Sequence, residues 1–175
     1  MKKWVIDPDH SVAGFTVRHM MVTNVRGQFN KISGAVHFDP SDIAGASVEA
    51  TIDVAGITTG IPKRDEHLLS NDFFDAANFP NMIFRSTKVE ASGGNRFKVL
   101  GDLTIRGITR PVSLDAEYSG PIKGTEGELS IGFSGTTRIN REEFGLNWNV
   151  SLEGGGVVVG KEVQIYIDVE ADLKE

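Results

Sequence analysis

The chain has 175 residues, within the range of one domain able to bury a sizeable core. Its net charge of −6 and pI near 5.2 argue against nucleic acid and polybasic lipid docking, both of which need a basic face. Cysteine is absent, which removes disulfides, thiol catalysis and thiolate metal sites, and no stretch approaches the roughly 20 apolar residues of a membrane helix.

Met1-Lys2-Lys3 runs directly into Trp4-Val5-Ile6-Asp7 without an apolar h-region or a small-residue cleavage site. The expected compartment is therefore the cytoplasm, or the periplasm had a leader been removed. Asp7-Pro8-Asp9 reads as a turn, with His10 and Ser11 opening the next strand. Ala13, Phe15, Val17 and His19 then share one strand face. Gly34, Val36 and Phe38 form a second period-two run, and Val48, Ala50, Ile52 and Val54 a third.

The one helical segment lies between Ile61 and Asp75. Pro62 suits a first helical position, and Asp65 and Glu66 suit the positive N-terminal end. Its apolar residues Leu68, Leu69, Phe73 and Phe74 predict either a plug at one end of a barrel or a helix packed on the sheet. After it come Phe97 to Ile105, Val112 to Tyr118, Leu129 to Phe133, and Val163 to Val169, each alternating. About eight strands with one wet face predict an all-β antiparallel fold, since strands buried on both faces read as continuous apolar runs. A closed barrel and a two-sheet sandwich both fit. Residues 1–175 contain no linker, repeat or low-complexity stretch, so one domain is expected.

Catalytic signatures are sparse. His10, His19, His37 and His67 show no HxH or HExxH spacing, so no metal site is expected. Asp9-His10-Ser11 holds three triad residue types, but neighbours on an extended chain point to opposite faces. No GxSxG elbow, P-loop or dinucleotide fingerprint occurs, and no cofactor is expected. Arg106, in the turn to Pro111, and Arg141, before Glu142-Glu143-Phe144-Gly145, could hold an anionic head group at a barrel mouth. Hairpin chemistry with surface ion pairs is the alternative.

Several motifs carry a resemblance. Trp4-x-Ile6-Asp7-Pro8-x-His10-Ser11, Phe15-x-Val17-x-His19 and Val25-x-Gly27-x-Phe29 resemble the N-terminal signature of the YceI-like family. The likeness continues in Arg64-Asp65-x-His67-Leu68-x-Ser70-x-Asp72-Phe73-Phe74-Asp75 and in Gly101-x-Leu103-Thr104-Ile105-Arg106-Gly107-Ile108-Thr109. It ends with Ile139-Asn140-Arg141-x-x-Phe144-Gly145-Leu146. The resemblance implies an extended, lipocalin-like antiparallel β-barrel that holds a polyisoprenoid or other long amphiphilic lipid in an elongated apolar cavity, often as a homodimer. It brings no catalytic residue with it.

The expected function is accordingly non-catalytic binding or carriage of such a lipid. The expected cavity residues are Phe15, Val17, His19, Val36, Phe38, Ile52, Val54, Leu103, Ile105, Leu114, Phe133 and Ile165, with Arg106 and Arg141 as head-group candidates. Two alternatives stand beside it. One is a small-substrate enzyme in which an inward His19 works with a nearby carboxylate; the other is a stress-linked structural protein whose barrel is filled.

Overall fold

Every strand pairing in the sheet is antiparallel. A computed structural model describes residues 1–174. Strands β1 (Lys2–Ile6) and β2 (Val12–His19) lie end to end along one edge of β11 (Val159–Lys174), with Ile6 opposite Ala171 and Val12 opposite Asp168. Between them Pro8–His10 forms a 3-10 turn, where Pro8 has no N–H to give to a ladder. Strands β3 (Thr23–Phe29) and β4 (Ile32–Phe38) are likewise collinear, opposite β2 and β1. Strands β5 (Ser47–Asp53) and β6 (Ile57–Thr58) follow the same rule opposite β4 and β3.

After helix α1 (Pro62–Leu69), the chain continues as β7 (Asn81–Gly93), β8 (Arg96–Ile105), β9 (Ile108–Lys123) and β10 (Leu129–Asn140). The eleven segments thus make an eight-stranded, up-and-down antiparallel barrel. It closes where β11 bonds to β10 on one side and to β2 and β1 on the other. Closure removes the exposed edges that a sandwich would keep. No helix among the described residues is long and apolar enough to cross a membrane.

Three strands escaped the alternation. In β7, Met82 and Val89 are both buried although an odd number of positions separates them, because the register shifts between Ser86 and Lys88. In β3 the inward position between Val25 and Phe29 is Gly27, which carries no side chain to mark the face. The Phe15 ring lies where a Cβ on Gly27 would be. In β1, only five residues long, Trp4 and Ile6 alone mark the buried face. His10 belongs to the 3-10 turn and not to the opening of β2.

The helix is shorter than expected. It stops at Leu69, where the Ser70 N–H donates to the His67 carbonyl, and tight turns through Phe79 replace further helix. The apolar interior gathers at two levels. Trp4, Ile6, Phe29, Ile32 and Phe144 belong to one cluster, and Val89, Phe97, Val99 and Leu114 to a second towards the far end.

Candidate functional site

The interior is packed at one end and open in the middle. At the end away from α1, the Phe38 ring meets Tyr118 at 5.0 Å, Phe133 at 5.2 Å and Phe97 at 6.0 Å, which forms an aromatic floor. Above it lies a cavity of about 450 Å³, within the usual range of small-molecule sites. Its wall is almost wholly hydrocarbon. Phe15, Val17, His19, Val36, Phe38, Ile52, Leu103, Ile105, Leu114, Phe133 and Ile165 all lie on it, drawn from seven strands by the inward phase of the pleat. Val54 does not. Strand β5 ends at Asp53, whose side chain accepts from the Ala55 N–H and turns the chain into a 3-10 turn over Val54–Gly56. Val54 is consequently buried in packed core, with its N–H donated to the Pro80 carbonyl.

Basic side chains meet the cavity at the opposite end, around α1. Arg18, His19, Arg64, His67 and Arg141 contribute to the wall there. Arg64 and His67 were not among the expected site residues. Their i,i+3 spacing puts them on one helix face, but only the placement of α1 across the barrel end turns that face inward. So α1 caps the barrel; it does not pack on the outside of the sheet. The His67 ring stands edge-on to Trp148 at 4.8 Å and to Phe73 at 5.1 Å, and its Nε2 lies 2.8 Å from the Asp72 carboxylate. Arg64 donates to the Thr59 hydroxyl and carbonyl, both at 2.7 Å. Beside this aromatic lid, the β2–β3 hairpin tip presents Met21 and Val22 at 60% and 77% exposure, so the rim is apolar too.

The two head-group candidates are occupied by backbone. Arg106, with φ at 50°, does not reach the cavity; its Nη1 donates to the Phe73 carbonyl at 2.9 Å and the Gly145 carbonyl at 3.2 Å. Arg141 is buried and touches the cavity, but its guanidinium donates to the carbonyls of Gly160 at 2.7 Å, Val159 at 3.2 Å and Leu146. Burial lowers its pKa from the ordinary value, the sign expected for a desolvated cation. Both arginines tie the Arg141–Phe144 turn and its neighbours to the barrel. Gly145 ends that turn in the left-handed region at φ 76°, a conformation that favours glycine. Turn sequences gave no sign of this use, because the accepting carbonyls are backbone groups that no residue type advertises.

Residues 4–171 match the YceI-like domain. The chain belongs to the YceI-like family. A UPF0312 protein of Staphylococcus aureus (strain USA300) is 38% identical over 176 residues, covering 100% of both chains. Among solved structures, Burkholderia cenocepacia BcnA superposes with a TM-score of 0.81 at 28% identity, over 94% of this chain and 98% of its own. The Campylobacter jejuni YceI protein gives a TM-score of 0.73 at 32% identity, over 90% of each chain. A polyisoprenoid-binding domain from Saccharophagus degradans gives 0.71 at 15% identity, over 99% of this chain and 100% of its own, and so shares the fold.

In this YceI-like barrel the polar residues of the N-terminal signature fall into two places. His19 faces the cavity, yet among the described residues its ring makes no hydrogen bond or ion pair with a carboxylate. The acid partner that an enzyme reading needs is not brought to it. The Asp7–Ser11 stretch instead meets β11 on the outer wall. Asp7 N–H donates to the Glu170 carbonyl at 2.9 Å, and Ser11 Oγ bridges the Glu170 carbonyl and N–H at 3.3 and 3.2 Å. His10 Nδ1 lies 2.7 Å from an Asp7 carboxylate oxygen. That hydrogen bond is the main cause that raises His10 above its ordinary value and lowers Asp7 below its own.

Proposed function

We propose that this protein is a non-catalytic carrier that holds the hydrocarbon chain of a polyisoprenoid or similar long amphiphile inside the barrel, with the polar end at the α1 mouth. The observation that carries this reading is the open, hydrocarbon-lined cavity of about 450 Å³ between the aromatic floor and the helical cap. A packed core would have left no such space. The polyisoprenoid-binding domain of Saccharophagus degradans, which has the same fold, supports this class of ligand.

Burial of apolar surface supplies the driving force. Each CH₂ removed from water is worth roughly 0.8 kcal/mol, so a five-carbon isoprene unit gains about 3–4 kcal/mol gross. A few units reach micromolar to nanomolar affinity after ordering costs. A cavity of about 150 Å³ accepts benzene, so 450 Å³ accepts roughly 15–20 carbons, or three to four isoprene units. Arg18, Arg64 and His67 line the cavity at the α1 end, where a phosphate or other anionic head would emerge.

Native mass spectrometry of freshly purified protein, followed by organic extraction, tests the reading. The expected result is one co-purifying lipid per chain, or uptake of one added prenyl phosphate of three or four units. A protein that yields no extractable lipid and takes up no added prenyl chain overturns it.

A further inference from the structure

The Asp7-Pro8-Asp9-His10-Ser11 stretch is the part of the signature that lipid binding leaves unused. It stands on the outer wall, away from the cavity, at the seam where β11 passes from β2 to β1. There the chain brings three metal-binding side chains together: Asp7, His10 and, from the last strand, Glu170. One ligand atom from each lies within 4.8 Å of the other two. We propose that Asp7, His10 and Glu170 form a binding site for a divalent transition-metal ion of the Zn²⁺ type, which staples the closing strands of the barrel.

Geometry and charge both support the site. Zn²⁺ binds imidazole nitrogen and carboxylate oxygen at about 2.0–2.2 Å, so its ligand atoms stand about 3.4 Å apart when tetrahedral and no more than about 4.3 Å when opposed. His10 Nδ1 and Asp7 Oδ2, 2.7 Å apart, widen slightly, and the Glu170 carboxylate moves inward by a rotation of its side chain. The backbone beneath is already fixed. Asp7 N–H and Ser11 Oγ hold the Glu170 main chain, and Asp7 Oδ1 accepts from the Asp9 N–H, leaving Oδ2 towards the ion.

Among the described residues the Glu170 carboxylate has no hydrogen-bond or ion-pair partner of its own. Two carboxylates beside one imidazole leave a surplus of negative charge that a divalent cation neutralises. One imidazole with two carboxylates suits Zn²⁺, Ni²⁺ or Cu²⁺ better than Mg²⁺, which seldom takes nitrogen ligands. Water would complete the coordination on the solvent side, since His10 is 66% exposed.

Titration calorimetry with ZnCl₂ on untagged, chelator-treated protein at pH 7.5, in a large excess of Mg²⁺, tests the proposal. One equivalent should bind, with proton release. His10→Gln should lower affinity by at least the roughly 10-fold that even an outer-shell change costs, and Glu170→Gln by a similar factor. His37→Gln, an exposed histidine on β4, should bind as the parent does. Thermal unfolding provides a second readout: Zn²⁺ should raise the Tm of the parent and of His37→Gln but not that of His10→Gln, whose metal-free melt also reports that it folds. Failure to bind Zn²⁺ in the presence of Mg²⁺, or equal binding by His10→Gln, overturns the proposal. Lipid uptake is independent of either result, because the cavity lies on the other side of the wall.

Discussion

Arg141 is the residue whose environment departs furthest from what its sequence neighbourhood suggests. A buried guanidinium that satisfies three carbonyls holds the Arg141–Phe144 turn against the start of β11. Truncation would strand those acceptors without donors, and hydrogen bonds to a charged group are worth about 1.5–3 kcal/mol. Arg141→Ala should therefore destabilise the fold by about 3 kcal/mol in denaturant melts. Arg64→Ala, at the mouth, should weaken binding of a prenyl phosphate more than that of the corresponding prenyl alcohol, which isothermal titration can compare. The Asp7–His10 pair carries a pH signature. His10 is raised above 6.5, so its contribution is full below that pH and is lost as pH rises through the folded value. Asp7 is lowered below 3.8, so its contribution is full above that pH and is lost as pH falls through its folded value. The pair is thus at full strength between 3.8 and 6.5. Proton NMR of the metal-free protein should show a His10 midpoint above 6.5, returning towards that value in Asp7→Asn.

At the scale of elements, the floor and the cap divide the labour. The Phe38, Phe97, Tyr118 and Phe133 rings come from β4, β8, β9 and β10, and they end the cavity where the far turns begin. Removal of the Phe133 ring leaves a benzene-sized space, roughly six carbons, or about one more isoprene unit. Phe133→Ala should shift the longest prenyl chain accepted upward by about one unit, read by competition with a chain-length series. Its cost should be about 3 kcal/mol in stability, the low end for a large-to-small aromatic change, because Phe133 is only partly buried. The cap depends on a different physics. Helix α1 has only eight residues and no side-chain N-cap, so it is held by Pro62 at its start and by apolar packing of Leu68 and Leu69.

For the molecule as a whole, closure is the decisive event. Strand β1 joins β11 to β4, and Trp4, 2% exposed, donates its indole N–H to the Phe38 carbonyl at 3.0 Å. Trp4→Ala should cost about 3–5 kcal/mol through cavity formation, whereas Trp4→Phe should lose about 1 kcal/mol for the bond plus a smaller packing loss. Hydrogen exchange should show the difference as faster exchange of the β1–β11 ladder in Trp4→Ala, ahead of the β8–β9 ladder.

The sequence by itself determined the strand class, the antiparallel order and which side chains face inward, because a period of two is a property of the backbone and needs no partner. Pro62 likewise marked the start of α1, since its ring suits a first helical turn. Local signals failed where the ladder was irregular. A register shift hid β7, and the Asp53 cap moved Val54 from the expected wall into the core. Tertiary structure alone decided that the strands close and that their interior stays partly empty, because both follow from side chains that meet across the barrel. It also directed Arg106 and Arg141 to backbone carbonyls, carried Arg64 and His67 to the mouth, and set Glu170 beside Asp7 and His10. The apolar alternation was written in the chain; whether it enclosed a packed core or a binding cavity depended on distances between residues far apart in it.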